Sequence, residues 1–517
     1  MRGLPLLTVI AGFCARIVPG YQTFLNPDEA LHLFLSDQAG LRKAYEASLT
    51  TAHPPLMILF MSLWQKFGSS ELFLRLPFIV AGTAFGWIMF LWIRHIADRS
   101  SGLFALALFT FSPSLISLSA EIRQYSFLLL FCSASLYLFD SGLVRDSVLR
   151  VAGAAIALYL ALLTHYSSLI FALAAGVYEL IRLKPWRNSN LITGIWAIGQ
   201  IGALGICYGL YRWHIRPLRE TGLPTDIAET WLRTSVYHPG EDHVLHFIVH
   251  QTTRLFRFAI SHGTIGTCAL IFFLVGITAL FLNKKSNGST LPEELLWLLL
   301  LPFGVTITAA LAGIYPYGGT RHDAILVLFG LTGTALGLVQ LPKSWTRYVA
   351  VAVALGLVIC NLFPFPTPPY ILRQNQRKEL MTTAVGFMRQ RVAPDEVLFS
   401  DFEGGLLLSR YLCDAWTVPR DAHSKRLFTS ACNGRELIVT TQAAWHLDIT
   451  NFDSVWKRIA EARRAEREGH IWLFQAGWID DKESAWINAL QRYGCVEPHN
   501  FGPNVFVCRL EASQTRK

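Results

Sequence analysis

Apolar residues along this chain come in runs of about 17–22, separated by short polar loops. A run of that length is what a helix needs to cross a bilayer, where each backbone polar group must find its partner within its own segment. The pattern predicts eleven spans, at residues 4–23, 73–93, 102–119, 125–141, 151–164, 167–183, 191–212, 263–282, 293–313, 323–340 and 348–364. Several are short for a crossing, so the third to sixth are expected to tilt less or to sit where the bilayer is thin. Two long polar segments interrupt the series, 25–72 and 213–262. In the first, Ala39–Ser48 is amphipathic and Pro54–Trp64 opens on two prolines, which suit a helix start; both are expected to lie along the membrane face. From Phe365 the pattern changes. Pro364, Pro366, Pro368 and Pro369 form a stiff linker. Charged helices, among them Phe452–Gly469, then alternate with strand-like runs at Glu396–Ser400, Glu436–Thr440, His470–Gln475 and Val505–Leu510. The expected fold is mainly α: a polytopic helical membrane bundle over 1–364, followed by a small soluble α/β domain over 365–517.

Composition agrees. The 517 residues are 52% hydrophobic and 16% charged, whereas a soluble chain carries about a quarter charged residues. The net charge of +9 calls for no nucleic acid, and no nucleic-acid motif is present. With the N-terminus cytoplasmic, the inner loops hold Arg94, Arg99, Arg145, Arg150, Arg182, Lys184, Arg187, Lys284, Lys285, Lys343 and Arg347, with Asn283–Ser289 as a short polar turn. The short outer loops hold little beyond Arg123 and Arg321. Such asymmetry orients helix bundles, and an odd number of spans puts the C-terminal domain outside. The first apolar run looks like a signal peptide but lacks a convincing small-residue cleavage site, so it reads as the first transmembrane helix. A bacterial inner (plasma) membrane is the expected location.

Nine cysteines divide in two. Cys14, Cys132, Cys207, Cys268 and Cys360 lie in apolar runs, as packing residues do. Cys413, Cys432, Cys495 and Cys508 lie in the polar part, with no CxxC pair to suggest zinc. In an oxidising compartment four cysteines allow three pairings, of which Cys413–Cys432 with Cys495–Cys508 is favoured; four free thiols is the alternative.

Chemistry gathers on the predicted outer side. The first polar residues after the first run are Asp28 and Glu29, with His32 one helical turn beyond Asp28. A partly desolvated carboxylate at a membrane surface acquires a raised pKa and can serve as a general base. Helix capping by Asn26 with an acidic first turn is the structural reading, and the two are compatible. His53-Pro54-Pro55-Leu56 has an imidazole aimed by two prolines, though a lone histidine before prolines is usually a turn residue. Ser119-Ala-Glu121-Ile-Arg123-Gln-Tyr125 sets charges between two apolar runs, where they need each other or a ligand; at helical spacing Glu121 and Tyr125 share a face. Thr164-His165-Tyr166 is a similar hairpin. In Tyr315-Pro-Tyr-Gly-Gly-Thr-Arg321-His322-Asp323, the glycines permit close backbone approach and Arg321 can grip a phosphate through two parallel bonds. For these last three the bland readings are a structural ion pair, a tight hairpin and an interfacial anchor. Together they suggest a base for an acceptor hydroxyl and cations for a phosphate leaving group, which is glycosyl transfer from a polyprenyl-phosphate sugar. A lipid-sugar transporter or flippase would show inverted repeats and midplane charges, and no repeat is found. A non-catalytic subunit of an envelope glycan assembly would tolerate loss of Asp28.

The order of these motifs resembles the family 39 (dolichyl-phosphate-mannose–protein mannosyltransferase-like) glycosyltransferases of the GT-C superfamily, which include aminoarabinose and protein mannosyl transferases. The resemblance covers residues from about 5 to 340 and rests on Asn26-Pro-Asp28-Glu29-Ala, His53-Pro-Pro-Leu, Glu71…Leu74-Arg75-Leu-Pro77, Glu121-Ile-Arg123-Gln-Tyr125 and Thr164-His165-Tyr166. It implies a membrane enzyme taking a sugar from a polyprenyl-phosphate donor on the outer face. Asp28 is then the catalytic position with Glu29 beside it, Arg123 and Arg321 contact the donor phosphate, and Arg75 orders the first outer loop. His53, Glu121, Tyr125, His165, Tyr166 and His322 complete the expected substrate contacts. No cofactor is required, while a divalent cation near Asp28 and Glu29 is compatible. The C-terminal region does not look like the MIR module of eukaryotic relatives, and Gly-Thr-Arg-His near 321 replaces the commoner Arg-Tyr. The acceptor is therefore left open among protein, lipid and glycan.

Overall fold

The computed structural model describes residues 3–183, 190–220, 232–282, 289–342, 344–362, 376–413, 415–420, 427–442, 445–447, 451–464, 471–478, 488, 490–491, 493–502 and 504–510. Over their described residues all eleven apolar segments are mainly helical, including Leu4–Gln22, Glu71–Ile96, Tyr125–Val144, Ser168–Leu183, Gly263–Leu282, Pro292–Leu311 and Thr346–Leu362. Among the described residues, six helical stretches are long and apolar enough to cross a membrane, or seven if the bent pair Arg99–Phe111 and Pro113–Ser119 is one span. Val148–Leu162 and Ala324–Leu338 have 15 residues each, about 22 Å at 1.5 Å per residue against roughly 30 Å of hydrocarbon. Helix length alone thus supports fewer crossings than the eleven expected. The proline linker, most of the Asn283–Ser289 turn and the end of the Phe452–Gly469 helix lie outside the described residues.

The chain divides into two compact units, Met1–Gly20 with Ala39–Ile371, and Tyr21–Gln38 with Leu372–Lys517. The first is the helical bundle. Its third apolar segment breaks by 56° between Phe111 and Pro113. Pro113 has no N–H, so the Phe109 carbonyl loses its helical donor. Arg16, 1% exposed, supplies the missing donors: Nη2 to Phe109 O at 3.3 Å and Nη1 to Thr110 O at 3.0 Å. Ser112 and Ser114 both donate to Ala259 O and tie the break to the Val244–Ile260 helix. Elsewhere Asp140 accepts from Trp92 Nε1, Tyr178 OH and Arg182 Nε, and Arg182 reaches Glu294, so one buried network joins four helices. Such charges persist in a bundle because each is paired and hydrogen-bonded.

The second unit holds a six-stranded sheet in the order β2-β3-β1-β4-β6-β5. The strands are β1 Val397–Ser400, β2 Phe428–Cys432, β3 Arg435–Val439, β4 Ile471–Ala476, β5 Cys495–Gly502 and β6 Val505–Leu510. β1 runs parallel to β3 and β4, and the other pairs are antiparallel. The four strands legible in the sequence are β1, β3, β4 and β6; β1 and β4 are buried throughout, and β3 and β6 over most of their length. The two that were not, β2 and β5, are the edges; their exposed polar positions and Pro498 weaken the apolar signal. Phe399, Ile438, Phe452, Trp456, Leu473 and Phe506 fill the core of this unit. Two disulfides close it, Cys413–Cys432 and Cys495–Cys508, the favoured pairing. Residues 21–38 join the unit through Phe24 N to Gln376 O, Leu25 N to Tyr411 OH and Trp416 Nε1 to Asp37 Oδ2.

Candidate functional site

The expected residues fall into two groups, one in each unit. In the second unit, Pro27–Ser36 is a helix whose entire length is buried. Asn26 caps it: its Oδ1 accepts from Glu29 N at 2.9 Å, and Glu29 Oε2 accepts from Asn26 N at 2.9 Å. This reciprocal box satisfies two amides at the helix start, and it engages the Glu29 carboxylate in capping. Asp28, 7% exposed, stands between them in the first turn. His32 does lie one turn on, but its Nδ1 bonds the Asp28 backbone carbonyl at 2.6 Å, so the ring carries its proton on that nitrogen. Glu29 Oε2 is turned to its cap, and among the described residues there is no group of three or more His, Cys, Asp or Glu that could hold a metal.

In the first unit, four separate segments bring their rings together. The His53 and His165 imidazoles stack with centroids 5.3 Å apart. Tyr125 lies 5.3 Å from His165 and 6.5 Å from His322, and His165 is 6.3 Å from His322. The Arg123 guanidinium sits over the Tyr125 ring at 5.7 Å. A backbone bond from Leu56 N to Leu163 O pins the His-Pro-Pro loop to the His165 hairpin. Burial, reinforced by Arg123, pushes the His165 pKa down to about 3. The ring is therefore neutral, and because Ser167 N donates to its Nδ1, the proton resides on Nε2. Gly318 has φ +136°, and a Cβ there would overlap Gln251; one on Gly319 would come within 2.5 Å of Arg254 O. The glycine pair thus lets the loop bearing Arg321 and His322 approach the Val244–Ile260 helix, as its sequence suggested.

Other expected residues stand apart from these rings. Tyr166 OH pairs with His214 Nδ1 at 2.5 Å. Arg75, 1% exposed, donates to the Gly20 carbonyl at 2.8 Å and so binds near the end of the first helix. Glu121 and Tyr125 do not share a helical face: residues 121–124 form a turn, and the helix begins only at Tyr125. Tyr315, not singled out individually, donates from its hydroxyl to His322 O at 2.9 Å and supports that loop. Its place within the Tyr-Pro-Tyr-Gly-Gly run is the only signal that could have found it.

Known proteins bear on this arrangement. The model of the dolichyl-phosphate-mannose-protein mannosyltransferase family matches residues 52–211, which contain the motifs of His53, Arg75, Arg123 and His165. No curated protein sequence matches the chain. Among solved structures, ArnT from Cupriavidus metallidurans in the apo state is similar at TM-score 0.54 and 13% identity, over 100% of this chain and 99% of that one. ArnT bound to undecaprenyl phosphate is similar at 0.53 and 13%, with the same coverage. Archaeal oligosaccharyltransferase AglB from Archaeoglobus fulgidus, in complex with an inhibitory peptide and a dolichol-phosphate, gives 0.50 and 10% identity over 99% of this chain and 74% of that one. The chain has a GT-C-like fold: a polytopic helical membrane protein with a small α/β domain after the bundle.

Proposed function

We propose that this integral membrane protein is a glycosyltransferase moving a hexosyl- or pentosyl-type sugar from a polyprenyl-phosphate donor to an acceptor on the outer face. The observation that carries the reading is the cluster of His53, Arg123, Tyr125, His165 and His322, gathered from four segments of a GT-C-like bundle. A purely structural hairpin would not need a cation, a phenol and three imidazoles packed together. Asp28 is the base. It takes the proton of the acceptor hydroxyl as that oxygen attacks C1, and the C1–O bond to phosphate breaks with inversion. The electron pair leaves on the polyprenyl phosphate, which departs without an acid because its conjugate acid has a pKa of only about 6. Arg123 and Arg321 hold that phosphate, the task for which a guanidinium fork is suited. Neutral His165 offers Nε2–H as a donor to uncharged sugar or acceptor groups, with His53, Tyr125 and His322 beside it. Glu29 contributes through the cap that sets the Asp28 turn, and Glu121, Tyr166 and Arg75 shape the surrounding loops. A divalent cation beside Asp28 and Glu29 is compatible with the step without being a necessary part of it. The reading divides the chain into a transferase domain at 1–364 and an outer-face domain at 365–517, although residues 21–38, with Asp28, belong to the compact unit of the latter; the two disulfides favour an oxidising compartment such as that outside a bacterial inner membrane.

The test uses purified full-length protein, undecaprenyl-phosphate hexoses and pentoses carrying labelled sugars, and acceptor-bearing membranes from a strain lacking the gene. Wild-type protein should release undecaprenyl phosphate and label a lipid, glycan or protein. Asp28→Asn should do neither while folding to the same yield. Transfer by Asp28→Asn at the wild-type rate removes the base assignment; no transfer by wild type from any donor removes the class.

A further inference from the structure

Glu403 is the second residue of the Phe402–Tyr411 helix and is 2% exposed, although nothing in its sequence marked it as functional. Its neighbour Asp401 is fully engaged as a cap: Oδ1 accepts from Gly404 N, and Oδ2 accepts from Leu447 N and Gln475 Nε2. Glu403 differs. Oε1 accepts from Trp478 N at 2.7 Å, while buried Oε2 makes no hydrogen bond among the described residues. A buried carboxylate short of donors is costly when ionised, but a buried carboxylic acid is not.

The place it occupies matters. Gly477 has φ +124°, and a Cβ there would overlap the Pro27 ring and come within 2.7 Å of Glu403 Oε1. Pro27 and the Glu403 carboxyl therefore flank one glycine, and Asp28 is the next residue along. The Pro27–Ser36 helix packs on the Phe402–Tyr411 helix. Burial pushes the Glu403 carboxyl well above its ordinary range, the charges of Asp401 and Asp28 push it further, and the Trp478 amide and Trp445 side chain offset only part. The charged groups acting here are Asp401 on its own segment and Asp28 on the packed helix, with His446 acting on Asp401. Glu29, on that same helix, is committed to its cap.

We propose that Glu403 is a positioning residue for Asp28: its buried carboxyl, set against Gly477 opposite the Pro27 ring, braces the first turn of the Pro27–Ser36 helix and sets the charge environment of the Asp28 carboxylate. The inference rests on the reading of Asp28 as the base. In its neutral form Glu403 lets Asp28 remain an anion in a buried place. Ionised, it adds a like charge and disfavours the carboxylate the reaction uses.

An infrared pH titration of the full-length protein in lipid nanodiscs tests this without any substrate. Wild type at neutral pH should show a carboxylic-acid C=O band that Glu403→Gln removes. In Asp28→Asn the midpoint of that band should fall by on the order of one pH unit, because the neighbouring negative charge is gone. A band that Glu403→Gln leaves in place, or a midpoint unmoved in Asp28→Asn, overturns the proposal. The Asp28→Asn midpoint is read with Glu403 intact, so it does not depend on how the Glu403 variant folds. The base reading fails separately, through retained transfer by Asp28→Asn, and that result leaves the measured coupling untouched.

Discussion

The imidazoles of His53 and His165 stack at 5.3 Å with their planes 30° apart, although 112 positions (165 minus 53) separate them in the chain. The stack depends on His165 staying neutral. Its pKa is down from an ordinary 6.5 to about 3. Between those values the unfolded chain binds a proton that the folded chain refuses, so stability rises with pH across the interval. This contribution is complete above about 6.5 and is lost as pH falls toward 3. Thermal midpoints of detergent-solubilised protein should decline on acidification through this window, and His165→Gln should flatten the decline.

The cap of Asn26 and Glu29 gives a contrast with Asp28. Asn26→Ala removes the acceptor for Glu29 N, and a lost cap costs about 1 kcal/mol. Thermal unfolding should register that loss, and transfer should fall with it as the Asp28 turn frays. Asp28→Asn should show the opposite split, with stability kept and transfer lost. Equal stability of Asn26→Ala and wild type would mean that the cap is not what holds the turn.

Arg16 and Pro113 should prove thermodynamically coupled. Arg16→Met strips donors from the Phe109 and Thr110 carbonyls, and a buried acceptor left unsatisfied costs about 1–3 kcal/mol. Pro113→Ala restores the N–H that Phe109 O lacks. The double variant should therefore lose less stability than the two single losses added, a positive interaction in a double-mutant cycle. Strict additivity would show that Arg16 does not serve the break.

Peptide mapping without reductant should recover Cys413 linked to Cys432 and Cys495 linked to Cys508, with Cys14, Cys132, Cys207, Cys268 and Cys360 free. Removing either bridge should cost about 2–4 kcal/mol through the entropy it returns to the unfolded chain. The transition affected should be that of the C-terminal α/β region, measured by limited proteolysis with and without reductant.

The membrane helices, the buried strands and the disulfide pairing were open to reading because each signal is local. An apolar run buries itself in lipid whatever its neighbours, and the edge strands Phe428–Cys432 and Cys495–Gly502 escaped notice because an edge has no such run. The cap was also legible, in Asn26 before Pro27 and the acidic first turn, but the reciprocal bond from Glu29 was not. What was not legible is the use of each polar group. Glu29 and His32 both read as chemistry, yet Glu29 bonds the Asn26 amide and His32 the Asp28 carbonyl.

By itself the sequence determined that this chain lives in a membrane, that its polar motifs lie between apolar helices, and which residue types stand in them. Those properties belong to short segments and to the free energy of moving each from water into lipid. Only the tertiary structure decided that His53, Tyr125, His165 and His322 would meet and that Arg16 would mend a broken helix. It alone set Glu403 beside the turn that bears Asp28. Burial and proximity between residues far apart in the chain arise from packing, and a carboxylate's charge, or a histidine's lack of one, follows from what packing places around it.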